Sequence, residues 1–191
     1  MKHNILIAGI ASLLFSMPAR AQHEEAASFK PKHSLGFAIG HAHVFEGRDA
    51  EGNKSTLALP MWALDYNFQF ARKWMIGLHT DMIVETFEVE KHLESGEEGE
   101  VVERSQPIAP AIMGMYKPNH HWSFGFGIGG EFAKEENFLL NRVAVEYSVE
   151  LPKNWEVYGA IQYDFRWEAY DTWTIGVGFT KNFGKTKAKK D

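Results

Sequence analysis

The stretch "WSFGFGIGGEF", residues 122 to 132, restricts the fold more than any other part of the chain. Successive side chains of an extended strand point to opposite faces. Trp122, Phe124, Phe126, Ile128 and Phe132 therefore share one face, and Ser123, Gly125, Gly127 and Gly129 share the other. A half-buried soluble strand also alternates, but its second face shows polar side chains to water. Here that face is almost bare backbone until Glu131. An aromatic face turned to lipid and a glycine face turned to a crowded polar lumen satisfy both halves of the pattern.

The same alternation, bounded by turn residues, predicts eight antiparallel strands at 33–46, 56–70, 74–91, 105–117, 122–134, 138–151, 155–168 and 172–183. Most meet the roughly 9 to 11 tilted residues that cross a bilayer. The connections differ in kind. "GRDAEGNKS" and "HLESGEEGEVVER" are long and polar, whereas "ARK", "PNHH" and "PKN" are tight, and each tight turn is followed by a tryptophan, Trp74, Trp122 or Trp155. Trp167 and Trp173 flank the last connection at the opposite end. Short turns on one rim, longer loops on the other and an aromatic girdle at each are the marks of a transmembrane barrel. No later stretch offers the roughly 18 consecutive apolar residues of a spanning helix.

Residues 1–21 read as an export signal, with Lys2, an apolar run from Ile5 to Phe15 and Ala19-Arg20-Ala21 at the cleavage site. A segment at 22–32 is expected to lie in the periplasm, followed by the barrel at 33–183 and a basic periplasmic tail at 184–191. The chain contains no cysteine, which removes disulfides and thiolate chemistry. The mature chain carries 18 basic and 25 acidic residues, a formal charge of -7, and this argues against nucleic acid as a partner.

Together these features resemble the small eight-stranded outer-membrane β-barrels of Gram-negative bacteria, the OmpA-like and OmpX-like group of the porin superfamily. The resemblance covers about residues 33 to 183. The closing strand "TWTIGVGFTKNF" resembles that family's assembly signal, with Trp173, Ile175, Val177, Phe179 and Phe183 on one face. It implies an all-β, eight-stranded antiparallel up-and-down transmembrane β-barrel, a bacterial outer-membrane location, contact with lipid and lipopolysaccharide, and recognition by the barrel assembly machinery. A monomer without a cofactor is expected, and no peptidoglycan-binding domain is expected after the barrel. The girdle would comprise Trp74, Trp122, Trp155, Trp167, Trp173 and Phe183. A soluble calyx of lipocalin type is the competing fold, but an eight-stranded interior cannot hold the whole aromatic set at once.

With the aromatic rows outward, the period of two points Asp65, His79, Asp81, Glu85, Glu131, Arg142, Glu146, Asp164 and Arg166 into the lumen. Pairing Leu151 with Trp155 sets Arg142 opposite Asp164, and pairing Phe70 with Trp74 sets Asp65 opposite His79. The expectation is a barrel plugged by a polar network, with a structural or surface-interaction role. A narrow cation-selective pore or small-solute channel is the first alternative.

A lipid-modifying outer-membrane enzyme is the second. His41, His43 and Glu46 lie near the outer rim, yet no serine accompanies them on a neighbouring outer rim, so the expectation is no catalysis. The same histidines read as an interfacial pair, with no metal assigned. Between 85 and 103 eight glutamates accompany Lys91, the only lysine or arginine there. Such a run is a solvated loop. Its 92–104 portion is the expected contact for an extracellular partner, on strands that project beyond the membrane, and it could meet lipopolysaccharide phosphates through divalent cations.

Overall fold

A computed structural model describes residues 29–91 and 99–183 of the chain. The expected signal at 1–21, the start of the periplasmic segment, loop residues 92–98 and the basic tail at 184–191 lie outside the described residues. Ten strands follow in order: β1 (Lys32–Arg48), β2 (Lys54–Ala71), β3 (Trp74–Ile83), β4 (Thr86–Glu90), β5 (Val101–Ser105), β6 (Ile108–Tyr116), β7 (Trp122–Phe132), β8 (Asn137–Leu151), β9 (Trp155–Arg166) and β10 (Thr172–Phe183). Eight of them, β1-β2-β3-β6-β7-β8-β9-β10, form an antiparallel ring, and β10 pairs with β1 from Val44↔Thr172 to His33↔Phe183 to close it. Closure leaves the ring no unpaired edge.

The tight turns fix the register. Leu151 pairs with Trp155 across the turn Pro152–Asn154, where Lys153 (φ 62°) and Asn154 (φ 63°) are left-handed. Arg142 consequently pairs with Asp164. At the β2–β3 turn the expected Phe70 to Trp74 pair is replaced by Ala71↔Trp74, with an irregularity between Gln69 and Ala71. From Gln69↔Met75 upward the expected register holds, and Asp65 pairs with His79.

Period-two alternation then sorts the side chains. Ile112, Ile128 and Val177 are more than 60% exposed on the outer face, in a belt that includes Phe37, Leu64, Phe126, Phe165 and Phe179. The inner rows are buried. Gly125 and Gly127 face inward because methionines occupy the space beside them: a Cβ at either position would lie 2.3 Å from the Sδ of Met115 or Met113. Gly178 does the same for Tyr158, whose Cε1 would sit 2.8 Å from such a Cβ. The glycine face of the opening stretch is therefore shaped to hold side chains from neighbouring strands.

One element departs from the sequence reading. The strand expected at 74–91 breaks at Val84 and Glu85, and the chain beyond it forms the hairpin β4–β5. Val84 N–H donates to Pro60 O (3.1 Å) and Ile83 N–H to Pro107 O (3.3 Å), the last rungs that tie β3 to its neighbours before the break. Instead of projecting, the hairpin lies across the outer mouth. Its β4 edge reaches β1, where Gly47 pairs with Val89, and its β5 edge reaches the connection between β7 and β8. Since β1 and β7 are diametrically opposed in an eight-membered ring, the hairpin bridges the mouth. Burial drives this: Phe87, Val89 and Arg104 alternate onto one face and are at most 5% exposed.

Candidate functional site

The lumen and its capped mouth gather the polar groups that the rest of the barrel excludes. At mid-lumen, β8 and β9 bring Arg142 against Asp164 in a bidentate pair, Nε to Oδ1 at 2.7 Å and Nη2 to Oδ2 at 2.8 Å. Asp81 reaches the same guanidinium from β3, across the axis, with Oδ2 3.0 Å from Nη2. Gln162 donates to Asp81. The residue of β7 beside Arg142 is Gly127, whose inward space is taken by the Met113 thioether.

Towards the mouth the charges continue with alternating sign. Arg166 lies 3.7 Å from Asp164 and donates from Nε to Glu131 Oε2 at 2.5 Å. Glu131 Oε1 accepts from Arg104 Nη2 at 2.5 Å and from the Tyr170 hydroxyl at 2.6 Å. Arg104, Glu131, Arg166, Asp164, Arg142 and Asp81 thus form one unbroken chain from the cap to the barrel centre. Each member is less than a tenth exposed, and each charge meets an opposite one. Buried ionic groups are tolerable only when so paired and hydrogen-bonded.

Towards the turns the network thins. His79 lies 3.7 Å from Asp65 through Nδ1 and contacts Asn67 Oδ1 at 2.9 Å through Nε2. Tyr158 donates to the other Asp65 oxygen at 3.0 Å. Glu146 occupies a lumen row, half-buried, between Ser123 of β7 and Ala160 of β9. Lys117 and Asn182 hold Glu156 at 3.4 and 2.7 Å.

One expectation is corrected. Glu85 does not enter the lumen: it sits exposed in the break between β3 and β4, where the wall has ended. Apolar layers accompany the polar network. Val44, Leu59, Met61, Ile83, Phe87, Val89, Phe138 and Tyr170 form an apolar layer beneath the cap, and Met113, Met115, Leu140 and Ala144 form another in the wall of β6 and β8.

Sequence reasoning missed Arg104, which is fully buried and reaches Glu131 while stacking 4.5 Å over the Phe138 ring. Alternation in "VVERS" carried the signal, because Glu103 and Ser105 flank it on the opposite face. A void of about 10 Å³ lined by Asp81, Glu131, Asp164 and Arg166 remains within the network, room for about one water molecule.

The aromatic residues fall at both rims. Trp74 packs on Tyr116 (4.9 Å), Trp122 on Tyr147 (5.0 Å), and Trp155 lies beneath the Lys181 ammonium (4.9 Å), all at the turn end with Phe183. At the loop end Trp167 donates to Asn141 Oδ1 (2.8 Å), and Trp173 stacks on His43 at 4.0 Å. His41 is exposed on the outer wall, beside Pro60 and Ile175. Among the described residues no serine hydroxyl is bonded to a histidine ring, Ser148 meeting only the backbone oxygens of His120 and His121. Among those residues no group of three or more histidine and acidic side chains is arranged to hold a metal ion.

Outside the mouth, the hairpin turns Thr86, Glu88 and Glu103 to solvent, with Glu88 directly opposite Glu103. Its edges are tied down. Lys91 pairs with Glu136 at 2.6 Å, Ser105 Oγ donates to Glu135 at 2.9 Å, and Arg104 Nη1 donates to Glu136 O at 2.6 Å.

No family model and no curated protein matches this sequence. Solved structures do match in fold. The N-terminal β-barrel domain of OprF from Pseudomonas aeruginosa is similar at a TM-score of 0.51 and 8% identity, over 81% of this chain and 100% of that one. Neisserial surface protein A has the same TM-score at 7% identity, over 81% of this chain and 100% of that one. The attachment invasion locus protein Ail of Yersinia pestis, solved with the heparin analogue sucrose octasulfate, reaches 0.49 at 14% identity, over 80% and 99% of the two chains. The closed ring of eight antiparallel strands is the architecture of the small outer-membrane barrels, reached here with almost none of their sequence.

Proposed function

We propose that this chain, folded as a small eight-stranded outer-membrane β-barrel, is a monomeric, non-enzymatic protein of the bacterial outer membrane that serves envelope structure and presents a surface at its outer rim. The observation that carries the reading is the unbroken buried chain from Arg104 through Glu131, Arg166, Asp164 and Arg142 to Asp81. An interior of eight strands is narrow enough for side chains to fill. These do so with paired groups, beneath a hairpin that bridges the mouth. A conducting path would require several desolvated ion pairs to part together. Lipid faces the outer belt, β10 offers the assembly machinery its aromatic face, and the glutamates on the hairpin's outward face would meet lipopolysaccharide only through divalent cations, like charges being repulsive.

Reconstitution into planar bilayers tests the plug. The expected record is a flat baseline with rare, small openings at most. A stable large conductance in the unsubstituted protein would reject the plugged barrel and favour a cation-selective channel.

A further inference from the structure

Charge is polarised along the barrel axis. At the loop end Glu51, Glu85, Glu88, Glu103, Glu135 and Glu168 are exposed, against the exposed cations Lys54 and Lys134. The turn end is the reverse. Arg72, Lys73 and Lys153 are exposed and Lys181 is half-exposed, whereas of the acids nearest that end Glu146 and Glu156 are half-buried on lumen-facing rows and Glu150 alone is exposed, 3.7 Å from His120.

Position matters more than number here. Lys181 stands on the outward row of β10, in register with Leu35 on one side and Trp155 on the other, both lipid-facing. Its ammonium is held 4.9 Å over the Trp155 ring and donates to the Lys153 backbone oxygen at 2.5 Å. The left-handed backbone of Lys153 and Asn154 turns the chain so that the Lys153 oxygen holds the Lys181 ammonium over Trp155, with the exposed Lys153 two residues before that tryptophan. Arg72 and Lys73 precede Trp74 in the same manner at the β2–β3 turn. Interfacial tryptophans sit at headgroup level. Cations beside them, on the outer wall, stand where lipid phosphates lie and not where a soluble polymer would approach.

We propose that Lys153 and Lys181 around Trp155 form a binding seat for the phosphate of an anionic phospholipid in the leaflet at the turn end, with Arg72 and Lys73 beside Trp74 as a second, weaker seat. The proposal rests on the membrane-barrel reading above. A lysine near an anionic surface is attracted to it by an amount equivalent to roughly a fivefold preference, and salt screens it. The Trp155 ring contributes by holding the Lys181 ammonium at the interface in the absence of lipid.

The test folds the full mature chain into phosphatidylcholine vesicles and measures, by electron spin resonance, how spin-labelled phosphatidylglycerol and phosphatidylcholine partition into the motionally restricted shell around it. A severalfold preference for phosphatidylglycerol is expected, falling towards one in high salt and in the Lys153→Gln/Lys181→Gln variant. Substituting Lys185, Lys187, Lys189 and Lys190 of the C-terminal segment by Gln is expected to leave the preference in place. Equal partitioning of the two lipids, a preference unchanged in the Lys153/Lys181 variant, or one lost only with the C-terminal lysines would each overturn the seat. Absence of any restricted lipid shell would instead reject the membrane barrel itself, so the two failures are distinguishable. Heat-modifiable gel migration reports whether each variant has folded.

Discussion

Gly127 shows how closely single residues are matched in this lumen. A Cβ there would lie 2.3 Å from Met113 Sδ and 2.5 Å from the Ile112 backbone oxygen. At Gly125 the nearest atoms are the flexible thioether ends of Met115 and Met113. Gly127→Ala is therefore expected to destabilise the barrel by about 1–3 kcal/mol, and Gly125→Ala by less, in reversible urea unfolding in lipid. Equal losses would mean that the methionines, and not the backbone, set the limit. Arg142 supports a second prediction. Its removal leaves Asp81 without a cation and Asp164 with only Arg166 at 3.7 Å, so Arg142→Ala should cost about 3–5 kcal/mol. Asp164→Ala should cost less, because Asp81 remains beside the guanidinium at 3.0 Å. The double variant should lose clearly less than the two single losses added, and additive losses would reject the pair. The Arg142 and Asp164 pairing was legible because the short turn "PKN" closes on Leu151 and Trp155 without an irregularity, as "ARK" does not. The third partner, Asp81, was not, because sequence spacing says which wall a side chain stands on and nothing about its reach across the axis.

Among the elements, β4–β5 is where periodicity misleads. Its alternation continues smoothly from β3, so the sequence reads as one long strand that projects into solvent. Nothing in the pattern marks Val84 and Glu85 as a break, since the alternation of inward and outward positions runs through both of them. Arg104 is the charged tie of the hairpin to the barrel interior. Arg104→Ala is expected to accelerate amide hydrogen exchange of Phe87 to Val89 by at least about tenfold, the scale of one lost charged hydrogen bond, with β8 and β9 little changed. Uniform acceleration across all strands would show that the hairpin is not a separable unit. Acid and base should loosen it at opposite ends of the scale. The hydrogen bond to Glu136 raises the Lys91 ammonium above its ordinary 10.5, so that tie is complete below 10.5 and fades as pH rises through the raised value. Desolvation pushes the Glu135 carboxyl up, but the hydrogen bonds from Ser105 outweigh it and leave the group below its ordinary 4.5. That tie is complete above 4.5 and fades as pH falls through the lowered value. Protection factors of β4 and β5, corrected for intrinsic exchange, should therefore form a plateau between these limits while the barrel amides stay flat.

For the whole molecule, the question is which solvent the outer face was built for. The same strands with the same exposures could in principle stand in water as a soluble calyx, so exposure alone does not decide. Substitution does. Ile128 and Val177 are 61% and 62% exposed, near the middles of β7 and β10. In water, an arginine at such a surface position changes stability by about 0.5 kcal/mol or less. At the centre of a bilayer it costs about 2–4 kcal/mol, and the cost falls towards zero at the interfaces. The expected result is a depth profile in lipid unfolding: a heavy loss for Ile128→Arg and Val177→Arg, and a near-neutral change for Leu35→Arg, which sits beside Lys181 at the turn-end rim. A soluble barrel would give no profile, since water meets all three positions alike. The belt's meaning thus depends on ordering three positions by depth, and a flat ordering would remove the membrane reading together with the lipid seat built upon it.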